Sequence, residues 1–211
     1  MTICHFFIMC YHNFMNLPNK LTIFRIVLVP VLALIWLFPY EQFNIQIGYF
    51  MIGNVSLSYL NIIVLLIFAL ASFTDFLDGK IARKYNLITT FGKFADPIAD
   101  KLLVNMMFII LTYKHAIPIV PVIIMILRDI VVDGCRMIAA QHGVVVSAGI
   151  LGKMKTALQM FTIIFVLLNN LPFEIWYLPV SDILMWFTSF ISAIGGYSYF
   201  MQVKQYIFES M

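Results

Sequence analysis

The chain has 211 residues, of which 63% are hydrophobic and only 11% charged, with a formal net charge of +3. Soluble domains run at about half apolar and about a quarter charged, so this composition excludes an ordinary soluble domain and points to an integral membrane protein. The small net charge, with no long basic run, excludes a nucleic-acid partner.

The first fourteen residues, "MTICHFFIMCYHNF", lack the basic n-region and the small-residue cleavage site of a signal peptide. Residues 1–14 are expected to be a dispensable extension ahead of Met15, and residues 15–211 one six-helix membrane domain. Pro18 then opens a helix, with Asn19, Lys20, Thr22 and Arg25 ahead of an apolar run. That pattern predicts a short amphipathic helix lying at the interface and leading into the first span. A spanning helix needs about 20 apolar residues. Six candidates follow, at residues 23–38, 60–83, 92–113, 117–140, 150–168 and 182–204. The breakers fall between them, in "FPYEQFNIQIGYFMIGN", "YNLITT", "KHAIP", "QHGVVVSAG" and "NNLPFEIWYLP". The predicted fold is all-α and integral to the membrane, with six transmembrane helices and an N-terminal amphipathic interfacial helix. There is no internal repeat.

Lysine and arginine set the orientation of such a chain. Of the 13 basic residues only Lys114 falls on one side of this layout; the rest fall on the other, several of them inside helices. Both termini and the loop after the second span are therefore expected to be cytoplasmic. Glu41 and Glu174 lie in the opposite loops, with Tyr49, Tyr59, Trp176 and Tyr177 as interfacial anchors. The three cysteines, Cys4, Cys10 and Cys135, form no CxxC pair, which fits a reducing compartment. The four histidines are scattered, with no HExxH.

The stretch "TDFLDGKIARKYNLITTFGKFADPIADK" sets Asp75, Asp78, Asp96 and Asp100 at the cytoplasmic ends of the second and third spans. On a helix, positions i, i+3, i+4, i+7 and i+8 share a face. Asp75, Asp78, Gly79, Ala82 and Arg83 thus lie on one stripe, and Asp96 and Asp100 on another. The short connector makes the two helices antiparallel neighbours, so the two pairs face each other at similar depth. A charged aspartate at mid-helix costs about 2.5–3.5 kcal/mol on insertion scales, and mutual repulsion adds to it. Protonation, pairing with Arg or Lys, or divalent cations would relieve this. All-oxygen ligation is what Mg²⁺ and Mn²⁺ prefer, which makes a two-metal site the economical answer. Gly79 and Ala82 leave room beside the carboxylates, and Arg83 offers a planar fork, so a diphosphate ligand fits the slot. Gly92 at the start of the third span fits a close backbone approach or an anion at the helix N-terminus.

These residues spell D-x-x-D-G-x-x-A-R, eight residues, then G-x-x-x-D-x-x-x-D, and the chain from about Met15 onward resembles the CDP-alcohol phosphatidyltransferases. The resemblance implies a CDP-linked lipid donor. It implies that Asp75, Asp78 and Asp96 hold two divalent cations, Mg²⁺ or Mn²⁺, with Asp100 on the second. Gly79, Ala82 and Arg83 would contact nucleotide and diphosphate, and Asp100 would be the general base on the acceptor hydroxyl. By the same likeness Asn19, Thr22 and Arg25 edge the CDP-diacylglycerol site; a helix cap and headgroup contacts are the plainer reading of those three. The family also implies a homodimer among the membrane lipids.

The motif itself is shared by enzymes that use glycerol phosphate, serine, inositol phosphate or choline. Arg128 and Arg136 stand eight residues apart in "LRDIVVDGCR", and Lys153 and Lys155 open the fifth span in "LGKMKTALQM". Four cations at one cytoplasmic surface suit an acceptor that carries its own phosphate. The alternative is that the arginines pair with Asp129 and Asp133 while the lysines meet lipid headgroups. With "NLPNKLTIFRI", these stretches resemble the branch that transfers phosphatidyl from CDP-diacylglycerol to sn-glycerol 3-phosphate. Asp133 departs from that branch, where a small or neutral residue is expected. Other acceptors remain: inositol phosphate, serine, or a phosphatidylglycerol in cardiolipin-type synthesis. A different class, a divalent-cation transporter, is disfavoured because the aspartates cluster at one membrane face and the other spans carry almost no polar residues. Frequent Ile, Phe, Asn and Lys hint at an AT-rich bacterial genome, and the chain is expected to be multi-pass in a bacterial cell membrane with its active site cytoplasmic.

Overall fold

A computed structural model of the chain describes residues 17–84, 89–144 and 149–209, and within the helices it leaves out the side chains at 17, 18, 76–84, 90, 93, 94 and 207–209. The described helices are α1 (Leu17–Leu37), α2 (Tyr59–Lys84), α3 (Thr90–Tyr113), α4 (Ile119–Gln141), α5 (Ile150–Leu167) and α6 (Val180–Glu209). Each predicted span falls on one of them, with ends displaced by a few residues. The first differs most. α1 is continuous from Leu17 to Leu37, so no break separates the predicted interfacial turn from the predicted first span. Pro30 sits inside α1 without ending it.

The fold is not purely helical. Between α1 and α2 the chain forms a two-stranded hairpin, β1 (Tyr49–Ile52) and β2 (Val55–Ser58), in a stretch expected to be mere connector. Its turn is Gly53-Asn54, with Gly53 at a φ of 60°, the positive-φ position that a two-residue hairpin requires and glycine supplies.

The chain divides into two compact units, one of Met1–Phe50 with Ser58–Met107, the other of Met51–Leu57 with Phe108–Met211. In the first, α1 packs on α2. The buried stripe of α1 reads Asn19, Thr22, Arg25, Val29, Leu32 and Trp36, at spacings of three and four. It is apolar toward the C-terminus and polar toward the N-terminus. On α2 the buried positions Leu60, Val64, Phe68 and Ala71 lead on, at the same spacing, to Asp75. On α3, Gly92, Ala95, Ala99, Leu103 and Met107 are buried, with Asp96 and Asp100 beside them. One end of the unit is thus packed with hydrocarbon and the other with polar groups. The outward faces invert a soluble protein's: Phe24, Val27, Val31 and Leu34 on α1, and Ile63, Leu66, Leu70 and Phe73 on α2, are exposed. So large an apolar outer surface suits lipid.

In the second unit α6 packs against both α4 and α5. The middle of its buried stripe is made of small residues, Ser189, Ser192, Gly195 and Gly196, which admit close approach of a neighbour. The spans are also less bare of polar groups than the sequence reading held. Gln159, Thr162, Thr188, Ser189 and Ser192 are all buried here. Thr162 and Thr188 hydroxyls meet at 3.2 Å between α5 and α6, each also within reach of a carbonyl of its own helix; one hydroxyl can donate across to the other while the second donates to its own helix, which makes the pair interhelical glue.

Among the described residues three helices are long and apolar enough to cross a membrane, over Asn19–Leu37, Ile150–Leu167 and Val180–Tyr206, while the apolar part of α2 is the shorter Tyr59–Asp75. The sequences of α3 and α4 carry too many charges to join them by composition: Asp96, Asp100 and Lys101 on one, Arg128, Asp129, Asp133 and Arg136 on the other.

Candidate active site

The polar end of the first unit is built around Arg25. The guanidinium is 1% exposed, and its Nη1 reaches Asp75 Oδ1 on α2 at 2.7 Å and Asp100 Oδ1 on α3 at 2.9 Å. One turn earlier on α1, the Thr22 hydroxyl donates to Asp96 Oδ1. A further turn back, Asn19 Oδ1 accepts from the Thr89 hydroxyl at 2.8 Å, and Thr89 Oγ1 accepts from the Gly92 N–H at 3.0 Å. Thr89 is therefore the N-cap of α3. Three successive polar positions on the buried stripe of α1 fix the start of α3 and both of its aspartates.

Gly92 stands at a close approach. A Cβ there would lie 3.3 Å from both Asn19 Oδ1 and Thr89 Oγ1, and 3.6 Å from Asp96 Oδ2. Its N–H is engaged by the Thr89 cap, which favours the close-approach reading of this glycine over the anion-binding one.

Asp75, Asp96 and Asp100 against Arg25 leave negative charge in excess among these four groups, in a setting that is only partly open to water. Their donors are hard carboxylate oxygens, the chemistry Mg²⁺ and Mn²⁺ select. Both the donor type and the excess of negative charge among these four groups fit divalent cations. Among the described residues no three carboxylates, cysteines or histidines already stand as a metal-holding group. The fourth predicted ligand, Asp78, and the predicted donor contacts Gly79, Ala82 and Arg83 continue the α2 stripe, and their side chains lie outside the described residues.

The second unit gathers the predicted acceptor-site cations. Lys155 Nζ lies 2.6 Å from Asp129 Oδ2, both groups being buried, and Arg128 Nη1 lies 3.0 Å from Asp129 Oδ1. Arg136 Nη2 donates to the Tyr199 hydroxyl at 3.1 Å. The Tyr199 ring lies under both guanidiniums, 5.9 Å from Arg128 Cζ and 5.3 Å from Arg136 Cζ. Lys153 is exposed. The structure thus brings Arg128, Arg136 and Lys155 onto one pair of anchors, Asp129 and Tyr199, and leaves Lys153 at the surface. The anticipated Arg128–Asp129 pair is present, and Lys155 is held by that carboxylate rather than left for headgroups.

Residues 15–194 match the CDP-alcohol phosphatidyltransferase family profile. The chain belongs to the CDP-alcohol phosphatidyltransferase family. Similar proteins include the CDP-diacylglycerol–glycerol-3-phosphate 3-phosphatidyltransferase of Bacillus subtilis, 42% identical over 88% of this chain and 93% of that one. The protein of the same name from Rickettsia typhi is 42% identical over 90% of this chain and 98% of its own. The one from Pseudomonas fluorescens is 33% identical over 78% of each. The chain is therefore a transferase of the CDP-alcohol class.

Three features of this family member escaped the sequence reading. Thr89 is an N-cap signal, a threonine just ahead of a helix. Tyr199 follows the Gly195-Gly196 pair by one helical turn in "SAIGGYSYF", which places it on the same buried stripe. An open cavity of about 580 Å³ is lined by Tyr40, Glu41, Asn44 and Tyr49, beyond the C-terminal end of α1. Arg25 lies some three turns earlier on that helix, so this cavity is not part of the aspartate site.

Proposed function

We infer that this chain transfers the phosphatidyl group from CDP-diacylglycerol to sn-glycerol 3-phosphate, giving phosphatidylglycerophosphate and CMP in phospholipid biosynthesis. The observation that carries this is 42% identity across about nine-tenths of the chain with relatives named for that reaction. The convergence of Asp75 and Asp100 on Arg25, with Asp96 held one turn away by Thr22, supports it.

Asp75, Asp78, Asp96 and Asp100 would hold two divalent cations, whose chemistry is to neutralise the diphosphate and stabilise CMP as it leaves. Asp100 would take the proton of the acceptor hydroxyl as its oxygen attacks the phosphatidyl phosphorus and the bond from that phosphorus to the CMP oxygen breaks. Arg25 holds the Asp75 and Asp100 carboxylates toward one another, and Thr22 fixes Asp96. With Asn19, these two residues would edge the nucleotide. Gly79, Ala82 and Arg83 would receive the diphosphate. Arg128, Arg136, Lys153 and Lys155 would bind the acceptor phosphate.

All six helices would cross a bacterial cell membrane, with the aspartate site and both termini on the cytoplasmic side, where the basic residues collect. The working assembly is a homodimer by likeness to the family. Radiolabelled sn-glycerol 3-phosphate, inositol phosphate, serine and phosphatidylglycerol, offered in parallel with CDP-diacylglycerol in micelles, test the acceptor. Only the first is expected to give labelled lipid and CMP. Label from another alcohol would overturn the acceptor assignment, and no CMP from any would overturn the reaction.

A further inference from the structure

Two guanidiniums on one helix repel each other, and each loses rotamer freedom when held in place. In the second unit one residue of another helix meets both. The Tyr199 ring is within cation–π range of Arg128 and Arg136 alike, and its hydroxyl accepts from Arg136. The stem of Arg128 reaches this position across the two glycines of α6. A Cβ at Gly196 would stand 2.7 Å from Arg128 Cγ, and one at Gly195 would stand 3.2 Å from Arg128 Nη2. The first distance is one that real side chains do not show, and the atom it meets belongs to the stem rather than the mobile head. Nothing larger than glycine at 196 leaves Arg128 where it is.

The two arginines are held but not saturated. The Nε of Arg128 and the Nε of Arg136 are both buried, and neither has a hydrogen-bond partner among the described residues. Buried donors of this kind are ordinarily satisfied. Among the described residues Arg128, Arg136 and Lys155 also outnumber Asp129 and the half-buried Asp133, which leaves a positive balance there. An oxyanion with several acceptor oxygens would supply both the missing acceptors and the missing charge.

We propose that Tyr199 is the positioning residue of the acceptor-phosphate site: its ring and hydroxyl hold Arg128 and Arg136 as a pair for one phosphomonoester, and Gly196 gives Arg128 the room to reach it. This rests on the reading of Arg128 and Arg136 as acceptor-phosphate ligands. It makes α6 a determinant of acceptor specificity, although α6 contributes no cation of its own to the cluster.

The test measures KM for sn-glycerol 3-phosphate, KM for CDP-diacylglycerol and kcat in micelles for Tyr199→Phe, Tyr199→Leu and Gly196→Ala. Calorimetric titration with sn-glycerol 3-phosphate alone follows binding apart from turnover. Tyr199→Leu removes both the cation–π face and the hydroxyl, and is expected to raise KM for the acceptor about tenfold. The KM for the donor and kcat at saturating acceptor should stay within about twofold of the parent. Tyr199→Phe keeps the ring, so a rise of only about threefold is expected. Gly196→Ala should follow Tyr199→Leu. If Tyr199→Leu does not fold, the near-isosteric Tyr199→Phe carries the test, with its melting temperature as the check on folding. An unchanged acceptor KM, or equal changes in both KM values and kcat, would overturn the proposal. A parent protein that binds sn-glycerol 3-phosphate without turning it over would sink the reaction assignment and leave this one standing. Normal turnover with unimpaired acceptor binding by the Tyr199 variants would do the reverse.

Discussion

Replacing Arg25 by methionine keeps the length of the side chain and removes its charge. In the parent, Arg25 is 1% exposed and bridges Asp75, 30% exposed, and Asp100, 45% exposed. Removing one partner of a fully buried ion pair costs about 3–5 kcal/mol, because the other charge is stranded. An exposed pair is worth no more than about 1 kcal/mol. Here the stranded groups are the carboxylates, and water reaches both of them, so the cost falls between these limits, at about 2 kcal/mol. For a chain of this length that corresponds to a loss of about 4–8 °C in melting temperature. Tryptophan fluorescence during thermal unfolding in micelles, in chelator-treated buffer, reads the shift. Arg25→Lys keeps the charge but not the fork, and should give an intermediate loss. In a double-mutant cycle, Asp100→Asn on the Arg25→Met background should cost less than on the parent, since the pair is already broken. A shift under about 1 °C for Arg25→Met, or strict additivity in the cycle, would refute the view that this guanidinium holds the site together.

Asp100→Asn alone should leave the melting temperature within about 3 °C of the parent, as the amide oxygen still accepts from Arg25, yet abolish CMP release. Normal release by that variant would remove Asp100 from its role as base. Treatment with a chelator should stop turnover, and added Mg²⁺ or Mn²⁺ should restore it; activity that survives exhaustive chelation would count against the two-cation reading. Asn170→Ala strikes the loop after α5. Asn170 Nδ2 donates to Glu174 Oε2 at 2.9 Å and to the Leu178 carbonyl at 2.6 Å, and its Oδ1 accepts from the Ser181 N–H at 3.0 Å. Its φ of 60° also suits asparagine better than alanine. The loss should be about 3 kcal/mol, read as a lower melting temperature with the rate at low temperature unchanged.

The six helices were legible because runs of apolar residues long enough for a bilayer are rare by chance, and because breakers fell between them. The aspartate stripe was legible because helical periodicity places i and i+4 together without any knowledge of the partner helix. The hairpin at Tyr49–Ser58 was missed although Gly53-Asn54 between two short β-formers announces it; a greasy connector reads as loop when spans are being sought. The role of Arg25 was not legible. Its partner Asp100 lies 75 residues away, and only the packing of α1 against its neighbours brings them together. Tyr199 is the same case in the second unit, 63 residues from Arg136.

The amino-acid sequence by itself determined the family and the number and order of the described helices. These depend on residue type and on local spacing, which a chain carries whatever its fold. The tertiary structure decided which charges neutralise which. It gave Arg25 to Asp75 and Asp100, Lys155 to Asp129, and Arg128 and Arg136 to Tyr199. Coulomb and cation–π energies depend on distance and on the water excluded between groups, and neither quantity exists until helices distant in sequence have packed.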